Sequence, residues 1–250
     1  MKSSEVCVLT TRNIKETVRS PISWAFGLIL PIAIFVIMQI IMKSIGSAAE
    51  QTPMFAVSRF TGGIVIFGAS FLSLFAAMLI SSDREGSFLS RLYVSPVKPR
   101  SYIAAYMLCL LPIAAAQVLV TYVTALIFGL DPTVRILPAA LFSLLFTVMF
   151  AAIGIIVGSA LSAKGAPPVC SALVQVAVLL SGMWFDLDAI GGGFDVFCHI
   201  LPFAHGYDLI RYTLSGEWAR VWLPFIVVAA YSVVLTVAAV LVFRARMKGK

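Results

Sequence analysis

Polar and apolar residues first alternate with helical spacing and then give way to six long apolar runs. Over 3–20, Val6, Leu9, Ile14 and Val18 are apolar while Arg12, Lys15 and Arg19 are basic, which predicts an amphipathic helix. The apolar runs fall at about 22–43, 60–80, 102–128, 136–161, 168–185 and 221–243. Crossing the hydrocarbon of a bilayer takes ~20 apolar residues, so each run is predicted to span one. The runs are too long and continuous for barrel strands. Backbone groups in lipid need partners within their own segment, so each is expected to be a helix. Pro31 is expected to kink the first. The predicted fold is therefore an all-α polytopic membrane protein with six transmembrane helices.

Between the second and third runs lies SSDREGSFLSRLYVSPVKPR, residues 81–100. Ser82-Asp83-Arg84-Glu85 has the form of a capping box, in which Ser82 and Glu85 each satisfy an orphan amide of a new helix. Phe88, Leu89, Leu92 and Tyr93 make one apolar stripe, and Pro96 and Pro99 stop the helix before the next span. A short amphipathic helix must bury its stripe, either in the lipid interface or in a groove of a partner protein.

Composition agrees with lipid as the solvent. Hydrophobic residues make up 61% of the 250 and charged residues 12%, with mean hydropathy +1.03. A soluble domain carries about 45–50% and about 25%. Residues 1–20 contain no apolar core of the length a cleavable signal peptide needs.

Charge sets the expected orientation. With the N-terminus inside, thirteen of the 18 Lys and Arg fall on inner segments, and Lys43, Arg59, Arg135, Arg211 and Arg220 fall outside. Cytoplasmic loops carry such an excess, so both termini are expected in the cytoplasm of a cell membrane, read as a bacterial inner membrane. Anionic inner-leaflet lipid accounts for the basic balance without any nucleic acid.

No span centre carries an Asp, Glu, Lys, Arg or His, as ion-coupled carriers usually do. No GxxxxGK[ST] phosphate loop occurs, so hydrolysis of ATP is not expected on this chain, which is read as a non-enzyme. Cys7, Cys109, Cys170 and Cys198 share no close spacing and imply no metal knuckle or disulfide framework. His199 and His205 stand near Asp195 and Asp208, but a spacing of six fits no common zinc pattern. They are read as structural histidines satisfied by backbone, with no metal expected.

The run Glu85-Gly86-Ser87, then Arg91-Leu92, then Ser95-Pro96, directly after the second span, resembles the coupling segment of ABC type 2 permeases, the drug and polysaccharide exporter class. That resemblance implies that 81–100 is a coupling helix docking into an ATP-binding subunit, with Asp83, Arg84, Glu85, Gly86, Phe88, Leu89, Arg91 and Leu92 as the coupling set. It implies further that 1–21 is the connecting helix. SGMWFDLDAI at 181–190 and HILPFAHGYDLIRYTLSGEW at 199–218 resemble the family's external re-entrant hairpin, placed at 186–217. The Gly191-Gly192-Gly193 run and the acids Asp186, Asp188 and Asp195 depart from it. One transmembrane domain then covers 1–250, with helices 1–2 at 22–80, helices 3–5 at 102–185, helix 6 at 221–243 and a basic tail at 244–250.

Several intramembrane residues have two readings each. Gly154 and Gly158 form a GxxxG that suits packing within the subunit or an interface between subunits. Gln39, Gln117 and Gln175 suit interhelical hydrogen bonds. Gln175, with Leu179 and Met183 a turn apart each on helix 5, also suits a substrate pathway, because the resemblance implies that helix 5 lines the cavity. Phe67, Phe71 and Phe75 form a stripe that suits the core or an apolar, cationic cargo.

Two functions follow. The resemblance implies a permease subunit of an ATP-driven exporter that moves a drug, peptide, lipid or glycan outward by alternating access. It would pair with a second permease subunit, identical or not, and with ABC ATP-binding subunits that hold the ATP and magnesium. A non-transporting scaffold or receptor-like assembly factor is the alternative.

Overall fold

The computed structural model describes residues 3–46, 55–86 and 99–248. All regular structure among them is helical. The chain runs through α1 (Ser3–Arg19), α2 (Pro21–Ile45), α3 (Val57–Glu85), α4 (Pro99–Leu108), α5 (Leu111–Ile127) and α6 (Ile136–Ala160). It continues through α7 (Ala166–Leu179), α8 (Leu187–Ile190), α9 (Gly192–Ile200), α10 (Pro202–Ser215) and α11 (Trp218–Lys248).

α3 is the axis. In its most apolar stretch 94% of the residues are buried, against 22% for α2 and 17% for α11, which form the rim. Small residues let other helices close on it, since in lipid dispersion and close approach drive helix association. A Cβ on Gly154 of α6 would collide with the Ser73 carbonyl, and one on Gly158 with Ala77. The GxxxG thus packs within the subunit.

Five helical runs are long and apolar enough to cross a membrane: Pro21–Ile45, Val57–Glu85, Ser101–Ile127 (α4 with α5), Ile136–Ala160 and Trp218–Arg246. The run predicted at 168–185 crosses as a shorter helix completed by a turn, from beside Glu85 at one end of α3 to beside Arg59 at the other. Its helix, α7, has 14 residues, about 21 Å of rise against the ~30 Å of hydrocarbon. The Ser181 hydroxyl donates to the Val178 carbonyl at 2.8 Å, and Gly182 takes φ +82, a conformation that ends a helix without a Cβ penalty. The chain then turns inward, bringing Met183 against Gly63 of α3 and the Trp184 ring to 6.2 Å from Phe60. Apolar residues here cover a turn, which hydropathy reads as more helix.

The disturbance expected at Pro31 lies one turn earlier. Ala25–Ile29 form a π turn, and the Leu30 N–H bonds to the Ala25 carbonyl. The third span is also interrupted, at Cys109–Leu110, before Pro112 resumes the helix as α5.

The capping box at Ser82–Glu85 does not form. α3 continues through those residues to Glu85, so Ser82 lies inside its last turn and its carbonyl accepts the Gly86 N–H at 2.9 Å. Glu85 binds outside its own helix instead. A local four-residue pattern has been overridden by tertiary partners. Gly86 is described as the C-cap, whereas Phe88, Leu89, Arg91, Leu92 and the rest of 87–98 lie outside the described residues.

Candidate functional site

Successive helix residues point ~100° apart, so three in a row at a helix end can address three neighbours. Asp83, Arg84 and Glu85 do this at the end of α3. The Asp83 carboxylate, 2% exposed, accepts from both Arg12 guanidinium nitrogens at 2.5 and 2.6 Å and from the Tyr106 hydroxyl at 2.7 Å. One carboxylate thereby ties α1 and α4 to α3. The bidentate fork suits guanidinium, whose donors match both oxygens. Arg12 is also within 2.6 Å of Glu16 and donates to the Asn13 side chain at 2.9 Å.

Arg84 reaches the other way. It donates to the Ser159 carbonyl, and to that of Leu161 at 2.8 Å. Both lie where α6 ends and carbonyls lose their intrahelical donors. Glu85 accepts the Ala163 N–H at 2.8 Å, in the turn before α7. Four elements therefore converge on the last turn before residues 87–98.

The faces of α1 differ from the sequence reading. Among the described side chains of α1, Val6, Asn13 and Thr17 are buried, while Val18 is 39% exposed and Val8 69%. Leu9 and Ile14 pack at the edge of the core. The Thr17 hydroxyl donates to the Asn13 carbonyl at 2.8 Å, so a small polar residue satisfies itself in the contact. The helix is turned so that Arg12 meets Asp83 instead of solvent.

At the opposite end a second set of charges joins the hairpin to α3. Arg59 meets Asp186 at 3.0 Å, and Arg211 meets Asp188 at 3.2 Å. His199 lies between Asp195 at 2.9 Å and Asp208 at 3.2 Å, and its carbonyl accepts from the His205 ring at 3.0 Å. The Asp208 hydrogen bond, seconded by Asp195, pushes the His199 pKa up to about 9. Burial, with the charge of His199 beside it, pulls that of His205 below its ordinary value. The backbone partner expected for His205 is present, whereas His199 also uses side-chain carboxylates. α10 ends at Gly216, φ +83, whose N–H and that of Glu217 both reach back to Tyr212 and whose open side admits the Arg135 guanidinium.

The pathway candidates separate. Phe67, Phe71 and Phe75 are all buried. The Phe67 and Phe71 rings stand 5.1 Å apart, Phe26 of α2 packs on Phe71 at 5.5 Å, and Phe75 lies against Gly27. Gln175 and Leu179 share an exposed face of α7. Met183 does not belong with them. It lies beyond the helix and is 1% exposed. Gln39 donates to the Phe55 carbonyl at 3.0 Å, as an intramembrane amide should. Gln117, 3% exposed, packs on Gly68 and its amide nitrogen has no hydrogen-bond partner among the described residues, contrary to expectation.

Of the cysteines, Cys7 is exposed and Cys109, Cys170 and Cys198 are buried free thiols. Among the described residues no three His, Cys, Asp or Glu side chains are grouped to hold a metal ion.

A bundle built on one buried apolar axis, with ion pairs at its two ends, defines a multi-span membrane protein. A model of the ABC-2 type transporter family matches residues 4–215, from α1 through α10, and the chain belongs to that family. It is a transmembrane permease of an ABC transporter. A comparison with curated proteins gave no match.

Proposed function

We propose that this chain is the permease subunit of an ATP-driven exporter and moves an apolar or amphipathic cargo outward by alternating access. Two permease subunits work together, and separate ABC ATPase subunits bind ATP and magnesium. Both termini and the end of α3 face the cytoplasm, and the hairpin of α9 and α10 faces outward. The convergence on Asp83, Arg84 and Glu85 carries this reading. A displacement of the following segment, which resembles a coupling helix, would reach α1 and α4 through Asp83, α6 through Arg84 and the turn before α7 through Glu85. Residues 87–98 then dock on the ATPase with Phe88, Leu89, Arg91 and Leu92, while Asp83, Arg84 and Glu85 pass the motion inward. Gln175 and Leu179, exposed on this single chain, are assigned to the pathway wall, and Phe67, Phe71 and Phe75 to a seam that opens with the cycle.

Leu89→Asp tests the docking, because an unpaired charge in a buried interface costs several kcal/mol. The variant is expected to insert normally, lose co-purification of the ATPase and lose cargo-stimulated ATP hydrolysis. Undiminished transport by well-expressed Leu89→Asp protein would end the proposal.

A further inference from the structure

Where α1 meets α2, three irregularities of the backbone face one another. The chain is extended at Ser20, α2 winds as a π turn over Ala25–Ile29, and the third span breaks at Cys109–Leu110 ahead of Pro112. None of these segments can close on its neighbour as a regular helix would. They leave a cavity of about 220 Å³ whose walls include Val18, Trp24, Leu28, Pro112, Ile113 and Ala116. Such π turns recur at functional sites. The walls are mostly apolar, with Thr17 and Ser23 the two polar residues among them, which suits hydrocarbon better than a polar metabolite.

Trp24 indicates the depth of this crevice. It is 46% exposed, and its indole N–H donates to the Val18 carbonyl at 2.7 Å. Tryptophan, with an apolar ring and one donor, collects at the headgroup boundary of bilayers. Lys15 and Arg19 lie one helical turn apart on the exposed face of α1 and flank Val18, which lines the crevice; they themselves line an adjoining opening along α1 that also holds Arg12 and Glu16. Neither has an acidic partner within salt-bridge distance among the described residues, whereas Arg12 on the same helix is committed to Asp83 and Glu16. Apolar walls below and two uncommitted cations above complement one kind of molecule.

We propose that the crevice holds an acyl chain of an anionic inner-leaflet phospholipid, with its phosphate on Lys15 and Arg19. The lipid would fill the elbow between the connecting helix and the first span. The orientation proposed above names the leaflet, but the site itself does not depend on coupling to an ATPase.

Quenching of tryptophan by brominated acyl chains tests this with the full chain in bilayers. The Trp24 signal is taken as the difference between wild type and Trp24→Phe, in phosphatidylcholine bilayers carrying brominated phosphatidylcholine or brominated phosphatidylglycerol. The phosphatidylglycerol is expected to associate more tightly, by roughly five-fold for each basic residue engaged. Lys15→Gln with Arg19→Gln should erase that preference, whereas Lys15→Arg with Arg19→Lys should keep it. Ala116→Phe, which narrows the crevice, should reduce quenching by both lipids. Equal quenching by the two headgroups in the wild type would mean a crevice for any lipid or for apolar cargo, and overturns the proposal. So does a preference that survives the double glutamine change, one lost on exchanging the two cations, or quenching indifferent to Ala116→Phe, which would leave only attraction to the surface.

Discussion

Asp83 at one end of the bundle and Asp208 at the other each hold a cation from another helix, yet only the first is shut away from water. The Asp83 side chain is 2% exposed, against 14% for Asp208, 30% for Asp195 and 63% for Asp188. Its partners approach to 2.5–2.7 Å, while the ion pairs at the hairpin end lie at 2.9–3.2 Å, with Asp208 and Arg211 at 3.9 Å. Arg12 itself is one-third exposed, but losing it leaves the buried Asp83 carboxylate as a bare charge in a poor solvent. Partly hydrated pairs lose little when they open, since water replaces each partner. On the coupling reading proposed above, the first kind of fastening would pass on a displacement. The second allows a surface hairpin to rearrange.

The largest effect should follow from breaking the buried pair on one side only. Arg12→Leu leaves the Asp83 carboxylate with Tyr106 as its remaining side-chain donor among the bonds described, and is expected to cost about 3–5 kcal/mol. It should appear as a lower thermal midpoint and as early proteolytic release of α1. Arg12→Leu combined with Asp83→Leu removes both charges and should recover most of the loss, as apolar replacements of buried pairs often do. A single variant as stable as wild type would show that water reaches Asp83, and the contrast between the ends would disappear.

At the hairpin the same surgery should matter far less. Arg59→Ala removes the partner of Asp186, both about one-third exposed, and is expected to cost about 0–1 kcal/mol. Read by the same melting measurement, a loss as large as that of Arg12→Leu would mean that the hairpin is as rigidly held as the opposite end.

Why one end was legible in the sequence and the other was not follows from the range of the interactions. Hydropathy located the spans because burial in lipid acts on every residue of a run, and five of the six survive as long apolar helices. It failed at 180–185, where a Ser181–Gly182 turn is lined with apolar residues that face protein instead of lipid. The helix at 3–19 was evident from periodicity, but its orientation was not. In the sequence Arg12 falls with the basic face, because its partner lies 71 residues away. The Ser82–Glu85 pattern misleads for a related reason. A capping pattern describes a helix start only if the preceding residues are not already helical, and Glu85 takes its amide from Ala163, 78 positions on. The acids Asp186, Asp188 and Asp195 looked like departures from the family pattern. In the fold each has a cationic partner, Arg59, Arg211 and His199 respectively.

The smallest effect expected is a dependence on pH confined to the hairpin end, where both histidines lie. His199 has its folded pKa raised from an ordinary 6.5 to about 9 by Asp208 and Asp195. Its contribution to stability is therefore fully present below 6.5 and is lost as pH rises through about 9. His205 has the opposite sign. Burial lowers its pKa, so its contribution is present above 6.5 and is lost as pH falls through the folded value. The two together give the hairpin its greatest stability near neutrality, with loss on either side. Thermal midpoints of wild type and His199→Gln, compared across pH 6.5 to 9, should separate at the lower limit, by less than the full shift would give because water screens the partly exposed ring, and converge at the upper. The clasp at Asp83 contains no histidine, and proteolytic release of α1 over that range should be the same in both proteins. Parallel curves with a constant gap would mean that His199 packs without exchanging its proton. A gap that widens with pH would reverse the sign and remove the carboxylates as its cause.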